Sequence, residues 1–361
     1  MKLTAKIKLN PSDDQRVMLH ETLQRANSAC NTISEIAWEN KAFSKFKLQK
    51  LCYYAVRRKF DLSAQMVIRA LSKVADGYKL DKNTKRIFKK HGAFPFDSRI
   101  LTYKLDTMEV SIWTLDGRQI MPFQAGKRQL ELLQNQQGES DLAFIRGEFY
   151  LLVTCDIEEP AIDDVTDYMG VDMGIVNIAT TDDWVKYSGS HVNKVRHRNR
   201  SLRKKLQKKG TKSAKRLLKK RSGKEKRFAQ DVNHCISKKI VKKAKRTGRG
   251  IAIEDLTGIR KRVRLRKSQR TQLHSWAFHD LGAKLVYKSQ KYGVPIVYVD
   301  PAYTSQKCSN CGYISKSNRK SQSIFSCTSC GFVAHADVNG AMNIGVRGTE
   351  SVNVPYAVSA S

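Results

Sequence analysis

The chain has 361 residues, of which 40% are hydrophobic, and its 67 Lys and Arg outnumber 33 Asp and Glu to give a formal charge of +34. These values favour a globular protein of two or three domains with a polyanionic partner, and no run approaches the roughly 18 apolar residues of a membrane span. The charge is clustered, with 25 basic residues in 194–249 and seven more in 259–270, which disfavours a merely soluble, evenly charged surface.

The first part of the chain predicts one strand followed by helices. Lys2–Leu9 alternates polar and apolar residues as a β-strand does, and Ser12-x-x-Gln15 resembles the capping box that opens a helix. Apolar residues then recur every three or four positions from Leu19 to Ala37, as an amphipathic helix requires. Similar patterns predict further helices over about 46–60 and 64–79.

Residues 93–157 change to short alternating runs, which predict antiparallel strands. The runs are Met108–Leu115, Ile120–Phe123, Leu142–Ile145 and Phe149–Ile157. Asp116-Gly117 and Arg146-Gly147 are predicted to form hairpin turns between neighbouring strands. With the first strand, these runs predict a small antiparallel barrel into which the helical segment 12–90 is inserted. The acidic stretch Glu158–Asp167 then predicts a linker.

From Tyr168 onward the pattern predicts a mixed α/β arrangement. Strands are predicted at Gly170–Thr180, Gly250–Leu256 and Pro295–Asp300. Helices are predicted over the basic segment 194–247, at Trp276–Tyr292 and at Ala336–Ile344. Three acidic residues stand in or at the ends of these elements, and they are Asp172, Glu254 and Asp337.

Four cysteines near the C-terminus have the spacing of a structural zinc site. Cys308-x-x-Cys311 is followed after fifteen residues by Cys327-x-x-Cys330, and Gly312 and Gly331 close the two pairs. Glycine suits the left-handed backbone of such a turn. We therefore expect one Zn²⁺ held by these four thiolates. No signal peptide is evident, so a reducing compartment is expected and the remaining cysteines are predicted to be buried thiols: Cys30, Cys52, Cys155 and Cys235.

The three acidic residues predict a second kind of metal site. For any one of them, a salt bridge to a nearby Lys or Arg is the simpler explanation, because an isolated carboxylate is expensive to bury. Three in this ordered context favour convergence on Mg²⁺, which prefers oxygen ligands. Two such ions about 4 Å apart activate a water and stabilise the leaving oxygen in phosphodiester hydrolysis. Other acids lie in a linker or turn and are expected in solvent: Asp156, Asp163, Asp164, Asp167, Asp182 and Asp183.

Four segments that contain these residues resemble motifs of the TnpB (OrfB) insertion-sequence family, which is related to the type V CRISPR effectors. Gly170–Thr180 resembles the first RuvC segment of that family, and Ile253–Gly258 resembles the second. Val299–Gly312 resembles the start of its zinc ribbon, and Phe325–Ala341 resembles the end of the ribbon with the third RuvC segment. These motifs lie within about half the chain, and the N-terminal half matches more loosely.

The resemblance implies a multidomain α+β fold. Its expected parts are a split β-barrel wedge domain (1–11 and 91–160), a helical recognition domain (12–90), an RNase H-like (RuvC) α/β nuclease domain (168–302 and 333–350) with a basic helical arm (194–249), an inserted zinc ribbon (303–332) and a tail (351–361).

The resemblance also implies an RNA-guided DNA endonuclease that cleaves next to a short flanking motif. By this comparison, Asp172, Glu254 and Asp337 hold two catalytic Mg²⁺ ions, for which Mn²⁺ can substitute, and Cys308, Cys311, Cys327 and Cys330 hold structural Zn²⁺. Arg319 would lie near the cleaved strand, although an arginine in a ribbon hairpin is more often a surface residue. The implied partners are a guide RNA encoded near the gene and double-stranded target DNA. The expected setting is a monomer in a prokaryotic cytoplasm, with no membrane partner.

Two other classes of function stay open. A catalytically silent RNA-guided repressor, or another zinc-ribbon nucleic-acid-binding protein, would share the basic surface and the ribbon without needing three acids. The intact set of acids favours cutting over silent binding. A transposase that joins DNA ends directly is disfavoured, because no catalytic tyrosine in a His-hydrophobe-His context is evident.

Overall fold

The computed structural model describes residues 1–256 and 278–353, and the chain divides into two compact units, Met1–Glu158 and Glu159–Ser361. The boundary falls inside the acidic stretch that the sequence marks as a linker. The basic segment 259–270, the first two residues of the helix predicted from Trp276 and most of the predicted tail lie outside the described residues. Within the described ranges, every helix is too short or too polar to span a bilayer.

The first unit contains a seven-stranded sheet whose neighbouring strands all run antiparallel. The strands are β1 (Lys2–Leu9), β2 (Phe94–Phe96), β3 (Leu101–Lys104), β4 (Glu109–Thr114), β5 (Gly117–Gln124), β6 (Gln136–Ile145) and β7 (Glu148–Asp156). Their order across the sheet is β2-β6-β7-β1-β5-β4-β3. The hydroxyl of Tyr103 on the edge strand β3 donates a 2.9 Å hydrogen bond to Ser140 on β6, so the sheet is nearly closed, as the barrel prediction requires.

Both predicted hairpin turns are present in this sheet. Thr114 pairs with Gly117, which has a φ of +89°, and Ile145 pairs with Glu148 across Arg146-Gly147. Two short strands, β2 and β3, and the helix α4 (Lys127–Leu133) were not predicted. Each is too short for its apolar residues to repeat over several periods, which is the signal on which such predictions depend.

Three helices of the first unit pack on the sheet and share its core. They are α1 (Asp13–Glu39), α2 (Lys45–Phe60) and α3 (Ala64–Leu80). The predicted capping box opens α1, because Ser12 Oγ accepts from the amide of Gln15 while the Gln15 side chain accepts from the amide of Ser12, both at 3.2 Å. The core includes Leu19, Leu23 and Ile33, which are fully buried and each stabilise the fold by roughly 1.5–3 kcal/mol.

The second unit is built on a five-stranded sheet with the order β10-β9-β8-β11-β12. Its strands are β8 (Tyr168–Asp172), β9 (Asn177–Thr181), β10 (Lys186–Ser188), β11 (Gly250–Glu254) and β12 (Ile296–Val299). The prediction of one strand over Gly170–Thr180 is wrong, since β8 and β9 form an antiparallel hairpin. Gly174 lies in the turn, where a Cβ would stand 2.8 Å from the carbonyl oxygen of Asn177.

Helices cover both faces of this sheet. They are α5 (Ser190–Lys209), α6 (Lys212–Arg221), α7 (Lys224–Thr247), α8 (Phe278–Tyr292) and α9 (Ala336–Asn353). The basic segment is therefore three helices rather than one, with breaks at Gly210 and Gly223, whose φ angles of +64° and +76° do not suit other residues. A two-stranded ribbon of β13 (Ile324–Ser326) and β14 (Val333–His335) precedes α9.

Alternation along β8 and β11 decides which side chains face which helices. Met169, Val171, Ile251 and Ile253 enter one core with residues of α7 and α8. Tyr168 and Ala252 face the opposite side and pack in a second core with Ile344 of α9. By the same alternation Asp172 and Glu254 belong to the α9 side of the sheet.

Candidate metal-binding active site

The first two carboxylates lie side by side at the carboxyl ends of neighbouring parallel strands. Ile253 pairs with Val171, so that the next residues, Glu254 and Asp172, end their strands at the same level. A fully apolar residue at either position would continue the core instead. The sheet register therefore brings together two of the three predicted acids.

Helix α9 carries the third acid, Asp337, in its first turn and packs its backbone directly on β8. A Cβ at Gly170 would lie 1.9 Å from the carbonyl oxygen of Ala341, which leaves no space for any side chain. A Cβ at Gly340 would lie 3.4 Å from Oδ2 of Asp172. Because the helix approaches this closely, its first turn stands over the end of the strand that carries Asp172.

The electrostatics are those of acids gathered in a poorly solvated place. Burial, and then the charges of Glu254 and Asp337, raise the pKa of Asp172 from 3.8 to about 8, while the nearby Arg319 opposes that shift. Burial also raises the pKa of Glu254, against a hydrogen bond from Thr304 that lowers it. A bound cation would remove this repulsion and favour the ionised forms.

The three carboxylates lie near enough to affect one another's charge, but they do not form one compact ligand cluster. Among the described residues, only the four cysteines bring three or more ligand atoms within 4.8 Å of one another. At least one of the distances between the ligand oxygens of the three acids therefore exceeds 4.8 Å. Oxygen donors of this kind suit Mg²⁺, which is held through a few carboxylates together with water and substrate phosphates.

Polar side chains fix the orientation of two of the acids. Asn177 Nδ2 donates to Asp337 Oδ2 at 2.8 Å, and Thr304 Oγ1 donates to Glu254 Oε1 at 2.6 Å. Arg319, which the sequence offered as a neighbour of the cleaved strand, lies 3.9 Å from the carboxylate of Asp337. Asn177 and Thr304 were not predicted, although both fall inside the segments that resemble the TnpB motifs.

Several acids that were expected in solvent form ion pairs instead, so that expectation is wrong for them. Asp182 pairs with Arg249 at 2.7 Å and accepts a hydrogen bond from the amide of Gly170, and Asp183 pairs with Lys243. Asp163 pairs with Lys245 at 2.7 Å. The excess of basic side chains in this unit supplies a partner wherever an acid stands near α7 or its end.

The four predicted cysteines form the second candidate metal site, whereas of the other four Cys30, Cys52 and Cys155 are buried as predicted and the prediction is wrong for Cys235, which is exposed on α7. The Sγ atoms of Cys308 and Cys330 are 3.7 Å apart, and those of Cys311 and Cys327 are 3.6 Å apart. Zn–S bonds of about 2.3 Å in a tetrahedron imply S···S distances of about 3.8 Å, so the thiols fit a four-thiolate Zn²⁺ site. Such a site has no open position and is structural.

The two turns that carry the cysteines have the same backbone. The amide of Gly312 donates to Cys308 O at 2.9 Å, and the amide of Gly331 donates to Cys327 O at 3.1 Å. Both glycines have a left-handed backbone, with φ of +77° and +73°, as the sequence predicted. Backbone N–H groups point at the sulfurs, and the amide of Phe332 is the main reason that the pKa of Cys330 is lowered to about 6. The pKa of Cys308 is raised instead, chiefly by burial, so the four thiols do not ionise equally without a metal.

Comparison with known proteins gives consistent matches. Residues 278–344 match the family model described as the Cas12f1-like TNB domain. The chain is 31% identical over 225 residues to a CRISPR-associated endodeoxyribonuclease Cas12f1 of Sulfoacidibacillus thermotolerans, covering 57% of this chain and 52% of that protein. It is 36% identical over 144 residues to the TnpB-like protein MJ0751 of Methanocaldococcus jannaschii, covering 40% of this chain and 51% of the relative.

The solved structures agree on the fold. The chain superposes on the Cas12f1 chain of a Cas12f1-sgRNA-target DNA complex with a TM-score of 0.60 and 17% identity, covering 92% of this chain and 83% of the other. It superposes on the mini-RNA-guided endonuclease CRISPR-Cas_phi3 with a TM-score of 0.56 and 10% identity, covering 97% and 92%. In sequence, however, the chain spans only about half the length of the curated relatives described above.

Proposed function

We propose that the chain is an RNA-guided DNA endonuclease of the transposon-associated TnpB type, because its sequence is similar to a Cas12f1 endodeoxyribonuclease and to a TnpB-like protein and part of it matches the Cas12f1-like TNB domain. It would cleave target DNA next to a short flanking motif. The observation that carries this proposal is the meeting of Asp172, Glu254 and Asp337 on one side of the nuclease sheet, where the charges of the other two raise the pKa of Asp172.

In this proposal the three acids hold two Mg²⁺ ions, which when bound would activate a water and stabilise the leaving oxygen of the phosphodiester. The other residues act through position and charge. Asn177 and Thr304 hold Asp337 and Glu254 in fixed orientations. Arg319 adds a positive charge beside the carboxylates, where a strand phosphate would approach.

We propose the same division of labour among the domains that the family resemblance implies. The wedge barrel (1–11 and 91–160) and the recognition helices (12–90) would hold a guide RNA and its duplex with the target. The basic arm 194–249 would follow a phosphate backbone, because most of its Lys and Arg are exposed. Sequence choice would come from base pairing with the guide, while the protein reads only the flanking motif.

Cleavage of a guided target tests the proposal directly. The protein would be co-expressed with the DNA that surrounds its gene, purified with the RNA it retains, and that RNA would be sequenced. A plasmid carrying the matching target beside a randomised flank should then be cut in Mg²⁺ and left intact in EDTA. Asp172→Ala, Glu254→Ala and Asp337→Ala should each abolish cutting while the RNA remains bound, and full-rate cutting by any of the three would refute the assignment.

The same experiment distinguishes the proposed endonuclease from the main alternative. A silent RNA-guided repressor would retain a discrete RNA and bind the matching plasmid, yet leave it intact in Mg²⁺. Retention of unselected cellular RNA would instead favour a general nucleic-acid-binding protein.

A further inference from the structure

The zinc ribbon and the carboxylate site are joined by a continuous set of hydrogen bonds made by buried side chains. Asn339 and Asn343 stand four residues apart on α9, the helix that carries Asp337, and they are 0% and 3% exposed. Both reach across to the backbone of the ribbon. Neither amide contacts the sulfurs, and neither has been given a role in the proposed reaction.

Asn339 fixes the peptide groups on both sides of the first cysteine. Its Nδ2 donates to Lys307 O at 2.8 Å, and its Oδ1 accepts from the amide of Ser309 at 2.9 Å. Cys308 lies between these two residues and is fully buried. Asn339 therefore holds the backbone around the zinc ligand Cys308 in a fixed position relative to the helix that carries Asp337.

Asn343 connects the same ribbon backbone to Thr304, the residue that contacts the carboxylate of Glu254. Its Nδ2 donates to Lys307 O at 2.7 Å and to Thr304 O at 2.9 Å. Thr304 is 4% exposed, and its hydroxyl donates to Glu254 at 2.6 Å. A path of three hydrogen bonds thus leads from the carbonyl of the Lys307–Cys308 peptide through Asn343 and Thr304 to the carboxylate of Glu254.

We propose that Thr304, Asn339 and Asn343 are positioning residues that couple zinc loading of the ribbon to divalent-cation binding at the carboxylates. Folding of the ribbon around Zn²⁺ fixes Lys307 and Thr304, and Thr304 then holds Glu254 in the orientation that a cation needs. Without zinc, the ribbon backbone loses the structure that the two amides bind. The inference depends on the proposed metal-binding role of the three acids and adds a second condition for it.

The test measures Mn²⁺ affinity without nucleic acid, using the electron paramagnetic resonance signal of free Mn²⁺. Thr304→Val removes the hydroxyl while keeping the shape, and outer hydrogen-bond partners of this kind typically contribute about tenfold or more to metal affinity. We expect Mn²⁺ to bind about tenfold more weakly to this variant, with one zinc retained per chain. Thr304→Ser should restore the affinity, and Thr349→Val, on α9 but hydrogen-bonded to the backbone of Tyr168 and Gly345 rather than to one of the three acids, should leave it unchanged.

The second arm removes zinc. A Cys327→Ser, Cys330→Ser double variant should lack zinc and show the same loss of Mn²⁺ affinity, and adding Thr304→Val to it should cause no further loss. Unchanged Mn²⁺ affinity in Thr304→Val would overturn the proposal, as would additive losses. Asp172→Asn distinguishes the two levels of the argument. If it weakens Mn²⁺ binding while Thr304→Val does not, only the coupling fails; if Asp172→Asn has no effect, the metal-binding role of the acids fails as well.

Discussion

Replacing Asp172 by asparagine should stabilise the metal-free protein while destroying the proposed active site. The pKa of Asp172 is about 8 in the fold, against an ordinary value of 3.8, chiefly because the carboxylate is buried beside two others. At pH 7 the folded chain must therefore hold a proton that the unfolded chain has released. Because pH 7 lies about 3 units above the unfolded pKa of 3.8 and below the folded pKa, this proton uptake costs about 4 kcal/mol at that pH, and the partial exposure of the residue reduces the expected gain to about 2–4 kcal/mol.

The sign of the pH dependence follows from the raised pKa. The contribution of Asp172 to the stability of the Mg²⁺-free wild type is fully present below pH 3.8 and is lost as the pH rises toward about 8, because in that range this carboxyl ionises freely only in the unfolded chain. Asparagine does not titrate, so the advantage of Asp172→Asn should be small near pH 4.5 and largest near pH 8. Thermal unfolding in Mg²⁺-free buffer, with zinc retained, measures this difference at each pH.

A matched control lies in the same unit. Burial raises the pKa of Asp183, but hydrogen bonds from Lys243 and Thr181 outweigh it and give a net lowering. Asp183→Asn should therefore destabilise the protein at neutral pH, the opposite of the effect at Asp172. Added Mg²⁺ should raise the melting temperature of the wild type and leave that of Asp172→Asn unchanged. If Asp172→Asn lowers the melting temperature, or if its effect does not vary with pH, then the three acids do not repel one another as described.

Three further outcomes are expected from other parts of the structure. Gly170→Ala should destabilise the second unit by about 1–3 kcal/mol in thermal unfolding and impair the proposed cleavage, because its Cβ would overlap α9, whereas Gly282→Ala, with open space around it, should be neutral or stabilising; equal effects would contradict the close contact. Lys204→Ala with Lys205→Ala should lower the slope of log affinity for RNA against log salt by up to about 2 in fluorescence anisotropy, and an unchanged slope would remove the arm from the binding surface. Asn318→Ala should speed zinc release to a chromophoric chelator, because the amide of Thr328 loses the Asn318 acceptor and the carbonyls of Gln306 and Tyr313 each lose one of their donors, at a cost of about 1–3 kcal/mol; release at the wild-type rate would refute that role.

The sequence predicted the long amphipathic elements and the turns that have characteristic residues. The amphipathic pattern from Leu19 to Ala37 and the Ser12 capping box located α1, and Arg146-Gly147 located a hairpin. The four cysteines were found by spacing alone, since zinc thiolates require a local pattern. Short elements with fewer than two helical turns, such as α4, left no such signal.

Residues that act through neighbours were harder to predict. Asn177 and Thr304 each donate one hydrogen bond to an acid that is 160 and 50 positions away, respectively, and nothing local marks such a partner. The Gly170–Thr180 segment looked like one strand because apolar residues continue through the turn, so that its hairpin became apparent only from pairing. The prediction that Asp182 and Asp183 lie in solvent was wrong, because sequence position does not reveal which basic side chains pack against their turn.

The bare main-chain contact between β8 and α9 has a consequence for how the protein can evolve. Where two backbones touch without intervening side chains, the distance between Asp172 and the helix that carries Asp337 does not depend on how large nearby residues are. Substitutions in the surrounding core can therefore change the volumes of side chains while leaving the spacing of the acids intact. Divergent relatives would then be free to vary most of this chain, provided that the glycine contact itself is inherited unaltered.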